Sequence, residues 1–268
     1  MTRRPSDRYR IALWLTCSLS APLASAECDR AGTTLADIHA RGELRVAHTN
    51  DYRPFSYLAP DGTPTGIDAD IAQRFAAALG VRLQWVDTTW SALANDLAAG
   101  RFDVAMSGVS ITADRARVGC FSAPYFTTGK TAMTRCAASR RFDSIADLDR
   151  PDVTIVVNRG GTNERFVAAH STRATVLVRD DNRAAIDTLA AGGADAMITD
   201  AVEARVESRA DPRLCVAEPP VLFDTVEKAY LFADDAAWKA WIDAQLDALR
   251  RDGTLTAIFE RYVGGTSP

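Results

Sequence analysis

The chain has 268 residues, 47% of them hydrophobic and 25% charged, with 31 Lys and Arg against 35 Asp and Glu for a formal charge of −4. That is the make-up of a water-soluble folded protein, and it excludes a strongly basic nucleic-acid binder or a protein held on anionic lipid by charge. Sixteen Gly and eleven Pro are too few for a disordered chain, and the length lies where one core gives way to two lobes.

The chain opens with Arg3, Arg4, Arg8 and Arg10, followed by an apolar run from Ile11 to Leu23 and the small residues Ala24-Ser25-Ala26. Positive start, short apolar stretch and small-residue end form a secretory signal peptide over 1–26, too short to span a bilayer comfortably. Cleavage after Ala26 removes four Arg and one Asp, so the remaining 242 residues stand at −7. The expected product is an exported, periplasmic protein with no membrane segment.

After the leader, strand-like runs alternate with helical ones. The predicted strands are Leu44–Thr49, Leu83–Asp87, Asp103–Ser107, Lys130–Arg135, Val153–Asn158, Thr175–Val178, Ala194–Thr199 and Lys228–Phe232. Asp68–Leu79 places Ile71, Phe75 and Leu79 four apart and ends at Gly80, a helix with its terminating glycine. Ser91–Ala99 ends likewise at Gly100, and Asn182–Ala191 at Gly192. Ser144-Ile-Ala-Asp147 reads as a capping box, Ala201–Ser208 as a helix, and Ala236–Arg250 as an amphipathic helix presenting Trp241, Leu246 and Leu249. Such alternation predicts an α/β architecture with helices covering parallel or mixed sheets.

The pattern occurs twice. Gly100-Arg-Phe-Asp-Val-Ala-Met-Ser and Gly193-Ala-Asp-Ala-Met-Ile-Thr-Asp share a glycine–aspartate–strand grammar, one in each half. Two Rossmann-like α/β lobes follow, with a ligand cleft at the carboxyl ends of their strands, where helix N-termini expose free N–H groups. Lobe one takes 32–132 plus the returning 225–268, and lobe two takes 133–224. The two crossings, near 130–135 and 222–230, form a hinge. Four cysteines follow the leader, and export permits disulfides. Cys136–Cys215 is the expected pair, because both flank lobe two, while the state of Cys28 and Cys120 stays open. Three scattered histidines and no CxxC argue against a metal site.

Several segments carry a resemblance. Glu43-Leu-Arg-Val-Ala, Tyr52-Arg-Pro-Phe-Ser-Tyr, Gly66-Ile-Asp-Ala-Asp-Ile-Ala, Ser107-Gly-Val-Ser-Ile-Thr-Ala-Asp-Arg and Phe121-Ser-Ala-Pro-Tyr resemble the type II periplasmic amino-acid-binding fold, in order from about residue 35 to 263. Asn158-Arg-Gly-Gly-Thr-Asn-Glu-Arg-Phe, Met197-Ile-Thr-Asp-Ala-Val-Glu-Ala-Arg, Gly129-Lys-Thr and Glu227-Lys-Ala-Tyr-Leu look like the periplasmic cyclohexadienyl dehydratases. Those enzymes convert prephenate to phenylpyruvate, or arogenate to phenylalanine, with loss of CO2 and water. The chemistry asks for a cation on the retained carboxylate and a proton donor for the leaving hydroxyl. It requires no metal or other cofactor.

The resemblance implies Arg115 as the carboxylate clamp, a role that suits a bidentate guanidinium, with Ser107, Gly108, Ser110 and Thr162 as further donors. It places Glu164 as the general acid. That role requires burial to outweigh the helix start on which Glu164 lies, since the dipole there favours the ionised form. Asn163 and Lys130 stand as supporting polar groups, with helix capping and a solvated hinge lysine as their respective alternatives. Asp200 matches the position that holds an α-amino group in amino-acid receptors; otherwise it caps the following helix. Tyr52, Phe55 and Trp90 are set to sandwich a six-membered ring, unless they are core, and Lys228 is either a second cleft cation or a surface residue. Assembly into a homo-oligomer is left open. The rival reading is a non-enzymatic amino-acid receptor of an ABC importer, holding its ligand between Arg115 and Asp200 without a proton donor.

Overall fold

The computed structural model describes residues 28–216 and 221–264, so the proposed signal peptide lies outside the described residues. Two five-stranded sheets dominate. The first runs Arg82–Asp87, Glu43–His48, Val104–Ala105, Leu231–Phe232, Cys120–Phe121; the second runs Thr175–Arg179, Thr154–Asn158, Ala196–Asp200, Lys130–Arg135, Leu214–Val216. In each, the first three strands are parallel and the fourth is antiparallel to the third. Two copies of one strand order are therefore present, the α/β type II arrangement that the sequence predicts.

The repeated glycine–aspartate grammar has a structural cause in both sheets. Gly100 and Gly192 take positive φ (64° and 83°), ending the helices Leu93–Ala98 and Asn182–Ala190. Three residues later, the Asp103 carboxylate accepts the Arg45 N–H at 2.8 Å and the Asp195 carboxylate accepts the Thr154 N–H at 2.9 Å. Each aspartate thus ties its own strand to the start of the neighbouring one. The glycine in register is Gly192, one residue before the one in the quoted motif.

Most predicted elements form within a residue or two. Helix Ile67–Leu79 buries Ile71, Phe75 and Leu79 and ends at Gly80 with φ 68°. Helix Ala236–Arg251 buries Trp238, Ile242 and Leu246, while Trp241 and Leu249 only flank the core. Ser144 caps its short helix by accepting the Asp147 N–H at 3.2 Å. Helices Thr34–Arg41 and Thr254–Val263 were not predicted; the latter fills the first core with Leu255, Ile258 and Phe259.

The predicted strand Lys228–Phe232 divides. Val226–Lys228 pairs with Phe126–Thr128 in a two-stranded ribbon, and Leu231–Phe232 joins the first sheet. Between them, the Ala229 N–H reaches Val109 O at 3.0 Å and the Tyr230 N–H reaches Ser122 Oγ at 3.0 Å. The ribbon carries both crossings, and Lys130–Arg135 lies wholly in the second sheet, so the first crossing precedes residue 130 instead of occupying 130–135. Gly129 has no space for a side chain there, since a Cβ would lie 2.1 Å from Asp224 O.

Cys136–Cys215 forms as expected. Cys28–Cys120, left open by the sequence, is a second disulfide spanning 92 residues. It ties the segment ahead of the first helix to the edge strand Cys120–Phe121. No helix among the described residues is long and apolar enough to cross a membrane.

Candidate functional site

The polar groups of both lobes converge on Asp200, the last residue of the strand Ala196–Asp200. Lys130 Nζ donates to Asp200 Oδ1 at 2.7 Å, Lys228 Nζ donates to Oδ2 at 2.5 Å, and the Tyr52 hydroxyl donates to the same Oδ2. All four side chains are buried. Burial opposes the charge on Asp200, but the two ammonium groups outweigh it and hold the carboxyl well below the usual range. The alternative reading of Asp200 as a helix cap fails, because it makes no capping bond to Ala201–Ala210.

Lys130 is no solvated hinge residue. Its ammonium also donates to Thr162 Oγ1 at 2.9 Å and to Asn163 Oδ1 at 2.6 Å. Asn163 passes the network on, donating to Asn158 Oδ1 at 3.0 Å, so its amide is spent on the site and not on capping. Lys228, fully buried, donates to Ser110 Oγ at 2.9 Å and lies 5.0 Å from the centre of the Tyr52 ring. Burial lowers its pKa, Asp200 opposes that, and Lys130 adds to it, for a result of about 8.

Arg115 projects from the turn Ala113–Ala116, capped by Thr112. It is buried, gives one N–H to Ser110 O at 3.0 Å and sits 5.5 Å from the Trp90 ring centre. Burial and the nearby Arg165 charge pull its pKa to about 10, with Asp200 opposing. This bond uses one of the five N–H donors of the guanidinium. Trp90 meets Tyr52 edge-on at 5.7 Å and donates its indole N–H to Asp51 at 3.1 Å. Asp51 in turn accepts the Asn182 N–H from the second lobe at 3.0 Å.

Of the remaining predicted site residues, Gly108 lines the pocket while Ser107 and Phe55 stand further back. Ser107 accepts the Thr49 N–H at 3.0 Å and supports that loop. The Gly108 N–H is taken by Asp68 at 2.5 Å; with φ at 62°, a Cβ there would meet the Phe55 ring at 2.6 Å. Phe55 is fully buried behind Tyr52, a core residue and no wall of the pocket. The pocket itself is lined by Tyr52, Trp90, Ser110, Arg115, Thr162, Asn163, Asp200 and Lys228 with Gly108, Asn158, Gly161 and Asn182, around a cavity of about 20 Å³. That is room for about one water. A hollow of about 900 Å³ beside the hinge ribbon shares none of these residues.

Glu164 is not among the lining residues. It lies half-buried in the first turn of Thr162–His170, where its carboxylate accepts the Gly160 N–H at 2.6 Å. A second acid, likewise not among the lining residues, stands one helical turn beyond Asp200. Glu203, one turn into Ala201–Ala210, has no exposed surface and accepts the Thr199 hydroxyl, while its Oε1 finds no partner among the described residues. Burial drives its pKa far up; the Thr199 bond opposes this, and the charges of Glu207, Asp200 and Asp51 add to it. Its signal in the sequence was the Thr199–Glu203 spacing of one helical turn inside a quoted motif, read there only for Asp200.

Residues 44–265 match the model of the bacterial extracellular solute-binding proteins, family 3. The chain is 44% identical to the cyclohexadienyl dehydratase of Pseudomonas aeruginosa over 243 residues, 91% of each chain. It superimposes on an ancestral amino acid-binding protein, described as a precursor of cyclohexadienyl dehydratase, with a TM-score of 0.80, 33% identity, and coverage of 86% of this chain and 99% of that one. An ancestral cyclohexadienyl dehydratase matches with a TM-score of 0.53 and 39% identity over 87% of this chain and 98% of that one.

Proposed function

The chain belongs to family 3 of the bacterial extracellular solute-binding proteins, and we propose that it is a periplasmic cyclohexadienyl dehydratase. The observation that carries this reading is the pocket's set of buried cations, Arg115, Lys130 and Lys228, in a chain 44% identical over 91% of its length to a cyclohexadienyl dehydratase. A proton donor must accompany these cations. A dehydratase requires one, because hydroxide leaves poorly and water leaves well.

In the proposed reaction Arg115 holds the side-chain carboxylate of prephenate, and Tyr52 and Trp90 flank the ring. A proton from Glu203 or Glu164, which follow the lining residues Asp200 and Asn163 in the first turns of their helices, reaches the ring hydroxyl, the carbon–oxygen bond breaks, and water departs. The bond to the ring carboxylate breaks with it; its electron pair completes the aromatic ring, and CO2 leaves. Prephenate dianion plus one proton gives phenylpyruvate, CO2 and water, and the acid regains its proton from solvent. Lys130 and Lys228 hold Asp200 ionised and in place. Because the cavity admits about one water, the lobes must part about the ribbon to take in a ring and then close again to exclude water. The leader, the family and two disulfides support a periplasmic location.

The test is direct: purified protein is mixed with prephenate and phenylpyruvate formation is followed. Turnover supports the reading; micromolar binding of a standard amino acid with no turnover overturns it in favour of a receptor.

A further inference from the structure

We infer that the site selects an α-keto acid over the matching α-amino acid, so that prephenate is a better substrate than arogenate; this rests on the dehydratase reading above. The carboxylate that would receive an α-ammonium group, Asp200, is already engaged on both oxygens, by Lys130 on Oδ1 and by Lys228 and Tyr52 on Oδ2. The protein has built the ammonium partners of this acid into itself. A ligand ammonium placed against Asp200 meets two like charges held on either side of the same carboxylate, in a buried setting where such repulsion is little screened. An α-keto oxygen placed there meets the same two positive charges as attraction, and it can take the one Lys228 N–H not given to Asp200 or Ser110; Lys130 spends its three on Asp200, Thr162 and Asn163.

The other acid at the rim offers no escape. Asp51 is engaged by the Trp90 indole N–H and by the Asn182 N–H at the start of helix Asn182–Ala190. Arg115 adds a third buried cation. Three cations thus face Asp200 and Asp51, an excess that suits a dianion carrying no ammonium. The first turns of Thr162–His170 and Asn182–Ala190 line the same pocket and reinforce its positive potential.

The experiment compares kcat/KM for prephenate and arogenate on the wild-type protein. The expected ratio favours prephenate tenfold or more, and Lys130→Met narrows it by freeing one oxygen of Asp200. Equal values, or a preference for arogenate, overturn the inference while leaving the dehydratase reading intact. A second measurement needs neither turnover nor a variant: calorimetric binding of phenylpyruvate against phenylalanine, which differ only in the keto and amino groups. Tighter binding of phenylpyruvate supports the selectivity even if neither cyclohexadiene is turned over, which would sink the enzyme reading alone. Tighter binding of phenylalanine, or no binding of either, overturns the inference.

Discussion

Lys228 and Asp200 belong to different parts of the molecule, the hinge ribbon and the second sheet, yet their charged groups meet at 2.5 Å with almost no solvent contact. A buried pair of this kind has a high desolvation cost, and here the cost falls unevenly. Asp200 is shared by two cations and stays ionised, whereas Lys228 is left with a pKa of about 8. Lys228 is therefore charged below pH 8 and loses its proton as the pH rises through that value. The expected kcat/KM for prephenate, which reports the free enzyme, is level up to about pH 8 and then declines by up to tenfold per pH unit. A profile flat to pH 9.5 removes Lys228 from substrate recognition.

Two carboxyl groups compete for the role of acid, and their surroundings separate them. Glu203→Gln removes the proton from a buried site with little change of shape, and the expected loss of kcat is about 10²–10⁴-fold, the usual worth of a positioned acid. Glu164→Gln weakens only the bond to the Gly160 N–H, so activity should stay within tenfold and stability fall by about 1 kcal/mol or less. Steady-state rates and a thermal melt on both variants check this. The reverse order of losses would return the catalytic role to Glu164.

The scaffold was largely legible from the sequence, because its signals are local. Glycine stops such as Gly80 and Gly100, the apolar spacing of Ile71, Phe75 and Leu79, and the doubled glycine–aspartate grammar act within a few residues. The site was legible in part. Lys130, Asn163, Thr162, Asp200 and Lys228 were named, and the structure brings them together. The burial of Glu203 was not foreseen, because burial separates a neutral acid from an ordinary helix carboxylate and depends on packing between elements distant in sequence. Glu164 was favoured for its position in a motif, and position alone does not reveal that Gly160 offers its N–H to that carboxylate. The Cys28–Cys120 pairing was hidden for a similar reason: it joins elements brought together only when the first sheet adds its edge strand.

The Cys28–Cys120 disulfide closes a span of 92 residues, and neither cysteine lines the pocket around Asp200. Replacing both cysteines by serine should destabilise the protein by about 2–4 kcal/mol. For a domain of this size, each kcal/mol lowers Tm by about 2–4 °C, so a fall of roughly 4–16 °C is expected. At 25 °C, kcat for prephenate should stay within threefold of the parent value. An unchanged Tm shows that the bridge constrains nothing of consequence in the unfolded chain.

Gly160 tests lobe closure separately from chemistry. It precedes the helix Thr162–His170 in the second lobe with φ at 73°, and a Cβ there would lie 2.6 Å from the backbone of Ser91 in the first lobe. Only a residue without a side chain lets the two surfaces touch. Gly160→Ala adds a left-handed backbone cost of about 1–2 kcal/mol, which a small drop in Tm reports, and it also obstructs the closed state. Closure completes the pocket, since Arg115 and Trp90 come from one lobe and Thr162 and Asn163 from the other. The expected result is a loss of kcat/KM of tenfold or more, larger than the stability change explains. Gly192→Ala is the control: it has a comparable φ of 83°, but its nearest neighbour is the Arg135 side chain at 3.2 Å, within the same lobe. It should lower Tm similarly and leave kcat/KM within twofold. Equal kinetic losses in both variants would mean that backbone strain, and not contact between the lobes, is what the glycine at 160 relieves.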